Sequence, residues 1–252
     1  MTDSAVDDRW VRRFHTAPDH SPALVCFPHA GGSASYYRWL SDVLRPTVRV
    51  FALQYPGRQD RMHDRRLSMI DEFADEVFTA LEPLMGQRLA FFGHSMGSVI
   101  AFEVATRMVD RRGAGPTTLF VSGRRAPSKH RDDTVHLLDD DGIIDELRRL
   151  SGTDVRVLGN EDVLRMVLPP MRSDYTAVEN YRYRPGPKLD CPIVALLGDE
   201  DSSVDAEEAR AWADHTTDSF SLHTFSGGHF YLAEHQKAVA DLIVRQLPSP
   251  KN

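Results

Sequence analysis

The 252-residue sequence predicts an α/β fold: a mostly parallel central sheet with helices on both faces. Three observations point to it. Short apolar runs rich in β-branched and aromatic residues recur along the chain, with helix-period patterns between them. One of these runs, Leu89-Ala90-Phe91-Phe92, leads through Gly93-His94-Ser95-Met96-Gly97 directly into a helix pattern. The alternation breaks once, between Arg124 and Leu189, where two helical stretches replace the expected strand.

In chain order, the candidate strands are Ala23–Phe27, Val48–Leu53, Leu89–Phe92, Thr118–Ser122, Ile193–Leu197 and Phe220–Phe225. Each is short enough for a buried parallel strand. Between them, Ser35–Leu44, Ile70–Met85, Ser98–Val109 and Ala206–His215 read as helices; in the third, Val99, Ile100, Phe102, Val104 and Met108 fall at helical spacing. In the interruption, a helix is expected over Asp139–Leu150, with Ile143, Ile144, Leu147 and Leu150 apolar. A second is expected over Glu161–Tyr181, broken at Pro169-Pro170. An insertion of this length just upstream of a core strand reads as a helical lid. The expected division is therefore a core of residues 1–123 and 190–252, with residues 124–189 inserted as the lid. Sites of such sheets lie at the carboxyl ends of the strands, so catalytic residues should directly follow strand patterns.

Composition narrows the function classes. The net charge of −7 argues against general nucleic-acid binding, and 41% hydrophobic residues is ordinary for a soluble globular protein. The two cysteines, Cys26 and Cys191, make no disulfide framework and read as buried apolar residues. Met1–Asp8 is polar and acidic with no apolar segment behind it, and no window approaches the roughly 20 apolar residues of a membrane span. A cytoplasmic monomer with no membrane or nucleic-acid partner is expected. Asp139-Asp140-Asp141-Gly142 lacks the alternating ligands and distal Glu of a calcium loop and reads as an acidic helix start. With no phosphate loop, dinucleotide fingerprint or zinc-ligand spacing, neither metal nor cofactor is expected.

Strand, G-x-S-x-G, helix is the nucleophile elbow of α/β-hydrolases. The two glycines permit a sharp turn that presents Ser95 above the sheet edge. A serine hydroxyl needs a base to take its proton, and the base needs an acid to orient it. In this fold they follow in the order Ser, acid, His. The strand Ile193–Leu197 ends in Gly198-Asp199-Glu200-Asp201. Asp201 is preferred as the acid because it lies further into the loop. Asp199 and Glu200 read as turn and surface acids, and Asp205, the fallback, reads as a helix N-cap. Of the eleven histidines, His229 follows a strand pattern and a Gly227-Gly228 pair that can swing an imidazole toward Ser95. His94, beside the nucleophile, reads as a packing residue. Donors for an oxyanion are expected from the backbone N–H of Met96 and from that of Ala30, in the loop Pro28-His29-Ala30-Gly31-Gly32 after an early strand.

Together, Phe27-Pro28-His29-Ala30-Gly31-Gly32-Ser33, Gln54-Tyr55-Pro56-Gly57-Arg58, Gly93-His94-Ser95-Met96-Gly97 and Gly227-Gly228-His229-Phe230 resemble the type II thioesterases of polyketide synthases and nonribosomal peptide synthetases. The resemblance covers nearly the whole chain, including Met171-Arg172-Ser173-Asp174-Tyr175 and Tyr181-Arg182-Tyr183 in the insertion. It implies an α/β-hydrolase that clears stalled or incorrect acyl groups from the phosphopantetheine arm of acyl or peptidyl carrier proteins. It casts Ser95 as nucleophile, His229 as base, Asp201 as orienting acid, and Ala30 and Met96 as oxyanion donors. Carrier proteins are usually acidic, as is this chain, so docking needs a local basic or apolar patch near the site entrance; arginines on the lid side, Arg172 and Arg182 among them, are the candidates. Two other readings stay open on the residues alone: a free-standing esterase with the same triad, and a non-catalytic binding protein on a hydrolase scaffold.

Overall fold

In a computed structural model of the chain, residues 6–150 and 161–247 are described. The apolar runs become the strands β1 (Val11–Arg12), β2 (Ala23–Phe27), β3 (Arg49–Leu53), β4 (Leu89–His94), β5 (Leu119–Ser122), β6 (Ile193–Gly198) and β7 (Phe220–Phe225). They form one sheet in the order β1-β3-β2-β4-β5-β6-β7. All neighbours are parallel except β1, which pairs antiparallel with β3 at the edge. With two residues, β1 is too short to show a period, which is why no strand pattern marked it.

The inner strands β2 to β6 are buried along their whole length and largely apolar because both faces of the sheet are covered there. Ala23, Val25 and Phe27 of β2 join one core with Phe51, Phe91 and Val121, while Leu24 and Cys26 join the other with Val50, Ala90 and Phe92. Each large apolar side chain withdrawn in this way contributes about 1.5–3 kcal/mol. The first core is closed by α2 (Ile70–Leu81) and α3 (Met96–Arg112), the second by α1 (Arg38–Leu44) and, near the C-terminus, α7 (Gln236–Gln246). Arg107 of α3 holds α2 in place through Asp71 (3.1 Å) and Asp75 (2.9 Å), with Glu103 (2.7 Å) completing its shell. Both cysteines are free and buried.

Several expected helices end earlier than their apolar pattern. The first begins as a 3-10 turn, Ala34–Tyr37, before α1. The second gives way after Leu81 to a 3-10 turn, Glu82–Leu84, at Pro83, which has no N–H to continue the helical bonds. Of the helix expected over Ala206–His215, Ala206–Arg210 (α6) is α-helical and Ala211–His215 tightens to 3-10.

The segment between β5 and β6 is helical, with α4 (Asp140–Arg149) and α5 (Glu161–Glu179). Asp139 caps α4 by accepting from the N–H of Gly142 at 2.9 Å, the acidic helix start read from the sequence. The break expected at Pro169-Pro170 does not occur: α5 runs through both prolines. The fixed φ of proline is itself helical, and the apolar stripe of α5, with Leu168 and Met171 buried against Ile143 and Leu147 of α4, carries the helix past the missing N–H groups.

Chain order reverses between β2 and β4, which lie side by side while β3 lies outside β2. The loops leaving the carboxyl ends of β2 and β4 therefore meet at this switch point. The meeting is tight: a Cβ on Gly97 would sit 2.0 Å from the carbonyl oxygen of Phe27, and one on Gly93 would sit 2.4 Å from the carbonyl oxygen of Gly97. Gly97→Ala should therefore destabilise the fold by about 2–4 kcal/mol, read as a loss of thermal stability and of soluble protein. Wild-type stability in this variant would show that the two loops are free to separate.

Candidate active site

Ser95 joins β4 to α3 with φ 53° and ψ −121°, a left-handed conformation that a residue with a side chain holds only under constraint. The constraint is a set of hydrogen bonds to backbone carbonyls. The N–H of Ser95 donates to the carbonyl of Ser122 at 2.8 Å, and the hydroxyl of Ser98 donates to Gly93 (2.9 Å) and Ser122 (3.2 Å). The turn sets Ser95 on the wall of a cavity of about 470 Å³, where His29, Ala30, Met96, His229 and Phe230 also stand.

The loops after β6 and β7 bring the acid and the imidazole together. Asp201 Oδ2 lies 2.8 Å from His229 Nδ1, with both side chains almost wholly withdrawn from solvent. Asp199 is turned the other way: its carboxylate accepts from the N–H of Gly227 at 2.8 Å and ties the two loops to each other. Asp205 caps α6 in a capping box with Glu208. The loops can close because Gly198 has no side chain; a Cβ there would lie 2.4 Å from the carbonyl oxygens of Gly227 and Gly228.

Sequence reasoning passed over Ser203. Its hydroxyl donates to Asp201 Oδ1 at 2.7 Å and lies 2.9 Å from His229 Nδ1, and its N–H donates to the same carboxylate oxygen at 2.9 Å. The available signal was the Asp-x-Ser spacing of an Asx-turn. Burial works to raise the Asp201 carboxyl, but the hydrogen bonds from His229 and Ser203 outweigh it and hold it below 3.8.

Two further imidazoles surround the site. His94 is wholly buried, with Nδ1 2.9 Å from the Ser122 hydroxyl, which in turn is 2.7 Å from the Tyr231 hydroxyl. Its ring centroid lies 5.0 Å from that of His229. His29 packs edge-on against Tyr36 (4.5 Å) and Phe230 (4.9 Å). Burial holds both neutral, pushing His29 down to about 3 and His94 well below its ordinary value.

Ala30 and Met96 face the same cavity. Met96 opens α3, so its N–H has no carbonyl four residues back within the helix. The loop carrying Ala30 is held from below and from the side. The N–H of Ala34 donates to Gln54 Oε1 at 2.9 Å, and the N–H of Gly31, at φ +73°, donates to Asp174 Oδ2 at 2.7 Å. The same Asp174 oxygen is ion-paired with Arg58, both side chains being buried. Asp174 lies on α5, so the inserted helices and the loop after β3 grip the Ala30 loop through one carboxylate.

Arg172 and Arg182 are committed to their own chain. Arg172 donates to the carbonyls of His136 (3.0 Å) and Leu138 and pairs with Asp140 at 2.7 Å, clamping α5 to the start of α4. Arg182 donates to the carbonyl of Glu179 at 2.7 Å.

The chain matches the thioesterase domain family over residues 22–247. The chain belongs to the thioesterase family. It is 51% identical over 224 residues to the thioesterase PikA5 of Streptomyces venezuelae, covering 88% of this chain and 80% of that protein. The structure of the type II thioesterase BorB from the borrelidin biosynthetic cluster superposes with a TM-score of 0.90 at 49% identity, covering 96% of this chain and 98% of BorB. YbtT, a type II thioesterase from the yersiniabactin NRPS/PKS pathway, superposes with a TM-score of 0.85 at 28% identity over 95% of this chain and 98% of YbtT. As in those relatives, the sheet and helices of this thioesterase form an α/β-hydrolase. No helix among its described residues is long and apolar enough to cross a membrane.

Two outcomes follow from this geometry. Asp174→Asn leaves an acceptor for Gly31 but strands the Arg58 charge, so the loop should loosen. At a temperature well below unfolding, kcat for thioester hydrolysis should fall on the order of tenfold with KM little changed; unchanged kcat alongside a lowered melting temperature would make the pair purely structural. The second concerns pH. Because the folded Asp201 titrates below the unfolded residue, its ionised form stabilises the fold above the unfolded value, and that contribution is lost as pH falls through the folded one. The stability gap between wild type and Asp201→Asn should narrow as pH falls from about 5 to below the unfolded carboxyl value of about 3.9, as measured by denaturant unfolding. A constant gap would mean that the carboxylate gains nothing from its partners.

Proposed function

We propose that this thioesterase releases stalled or aberrant acyl groups from the phosphopantetheine thioesters of acyl or peptidyl carrier proteins. The chemistry rests on one observation: the buried Asp201–His229 hydrogen bond beside a cavity that His229 shares with Ser95. The carrier-bound substrate rests on the likeness to BorB and YbtT, named as type II thioesterases of biosynthetic pathways.

In this mechanism, the Ser95 hydroxyl attacks the thioester carbonyl carbon while His229 takes its proton, and Asp201 holds the imidazole in the tautomer that accepts it. The N–H groups of Ala30 and Met96 receive the developing oxyanion. Collapse expels the pantetheine sulfur, which leaves as the thiol on accepting the proton from His229. Water then attacks the acyl-serine with His229 as base again, and the free acid departs. Residues 124–189, of which 151–160 lie outside the described residues, act as a lid on the core of residues 1–123 and 190–252 and shape access to the acyl-enzyme. The enzyme works as a cytoplasmic monomer, without metal or cofactor.

Ser95→Ala should slow acyl release from a loaded carrier protein by at least about three orders of magnitude while leaving the fold intact. The assay follows release of a short acyl chain beside hydrolysis of the matching acyl-pantetheine and of an aryl ester. Wild-type rates in the variant would sink the nucleophile assignment. Turnover of aryl esters alone would move the protein to a free-standing esterase.

A further inference from the structure

Four arginines stand on the wall of the Ser95 cavity: Arg124, Arg125, Arg131 and Arg149. Three are neutralised within the chain. Arg125 pairs with Asp133, Arg131 with Glu208 at 2.6 Å, and Arg149 with Glu146 at 2.6 Å. Arg124 differs. Among the described residues its guanidinium has neither carboxylate nor hydrogen-bond acceptor, and its Nε is buried without a partner. The other acid beside it, Glu179, is spent on the N–H groups of Val135 and His136 (both 3.0 Å) and on the His136 imidazole.

The position of Arg124 is fixed close to the chemistry. Its carbonyl accepts from the indole N–H of Trp212 at 2.9 Å. The preceding residue, Gly123 at φ +58°, has no room for a side chain, since a Cβ would lie 3.3 Å from the His229 ring and 2.9 Å from that of His94. Burial and the neighbouring Arg125 push the Arg124 guanidinium down to about 9, so it is still charged at neutral pH. Arg124 is half-buried, and the acids whose charge reaches it, Asp133, Glu179 and Glu208, are bonded to other partners; a planar guanidinium fork left without a direct partner matches the paired oxygens of a carboxylate or phosphate.

We propose that Arg124 is an anion subsite of this active site, taking an oxyanion carried by the thioester substrate as the direct ion-pair partner that its guanidinium lacks among the described residues. This rests on the thioesterase reading. Two parts of a carrier-bound thioester present such oxygens: the phosphate at the far end of the pantetheine arm and a carboxylate on the acyl group.

The test compares propionyl-pantetheine, which has no anion, with propionyl-phosphopantetheine and with malonyl-pantetheine, using wild type and Arg124→Gln. The ratio of kcat/KM for an anionic to the neutral substrate should fall about tenfold in the variant. A fall for the phosphorylated substrate assigns Arg124 to the arm, and a fall for malonyl-pantetheine assigns it to the acyl group. Unchanged ratios for both overturn the subsite while leaving the thioesterase reading intact. No hydrolysis of any of the three by wild type removes that reading and the subsite with it. If Arg124→Gln does not fold, Arg124→Lys, which keeps the charge but loses the fork, is read by the same ratios.

Discussion

The contact on which the active site depends is the approach of Gly97 to the carbonyl of Phe27, so close that no side chain fits between them. It lies at the switch point of the sheet, where β2 and β4 run side by side and both loops leave from the same edge. Close approach on one side places Ser95; on the other it places the Pro28–Gly32 loop. The oxyanion donors proposed here, Ala30 and Met96, thus stand across a single backbone contact from each other. Their spacing starts from strand pairing and two absent Cβ atoms, and the Gln54 and Asp174 side chains then hold the Ala30 loop in place.

Strain at Ser95 is the counterpart of that economy. A non-glycine residue at φ 53° is held against its preference, and the bonds that hold it run to Ser122 on the neighbouring strand. Ser122 also reaches His94 and, through Tyr231, the loop after β7. The elbow is therefore braced by β5 and by the element that delivers His229. The Arg58–Asp174 pair extends the bracing to the inserted helices. A buried ion pair adds little net stability over apolar residues of the same size. Its value here is geometric, because Asp174 also accepts from Gly31 and so couples α5 to the loop that carries Ala30. A shift of α5 is felt at the proposed oxyanion hole.

Period and punctuation made most of this legible from sequence. Six strands were legible within a residue or two: the five inner ones because strands covered on both faces are largely apolar, and β7, which is only partly buried, because Phe220, Leu222 and Phe225 still mark it between loops. The elbow glycines, Asp201 and His229 stood out in the sequence because each lies in a loop that leaves the end of a strand pattern, and the structure joins Asp201 to His229. What escaped has no local signature. The two residues of β1 cannot show a period. The continuity of α5 through Pro169-Pro170 depends on burial against α4, which outweighs local propensity. The Arg58–Asp174 pair joins residues 116 apart in the chain, and only the fold makes them neighbours. Arg124 and Arg125 are adjacent and identical in type; one is paired and one is not, a difference that exists only in three dimensions.

The same reasoning explains how a site crowded with imidazoles can act through one of them. His29, His94 and His229 lie within ring-contact distance in a chain, with His94 in the middle. Two protonated rings at such a distance would repel, and burial makes the charged form of His29 and His94 more unfavourable still. Only His229 has a carboxylate, and that carboxylate is itself kept ionised by Ser203 and by the ring it serves. His229 is thus the one ring of the three that is bonded to a carboxylate, and it stands beside the cavity that holds Ser95. His29 and His94 are kept as neutral packing rings around it.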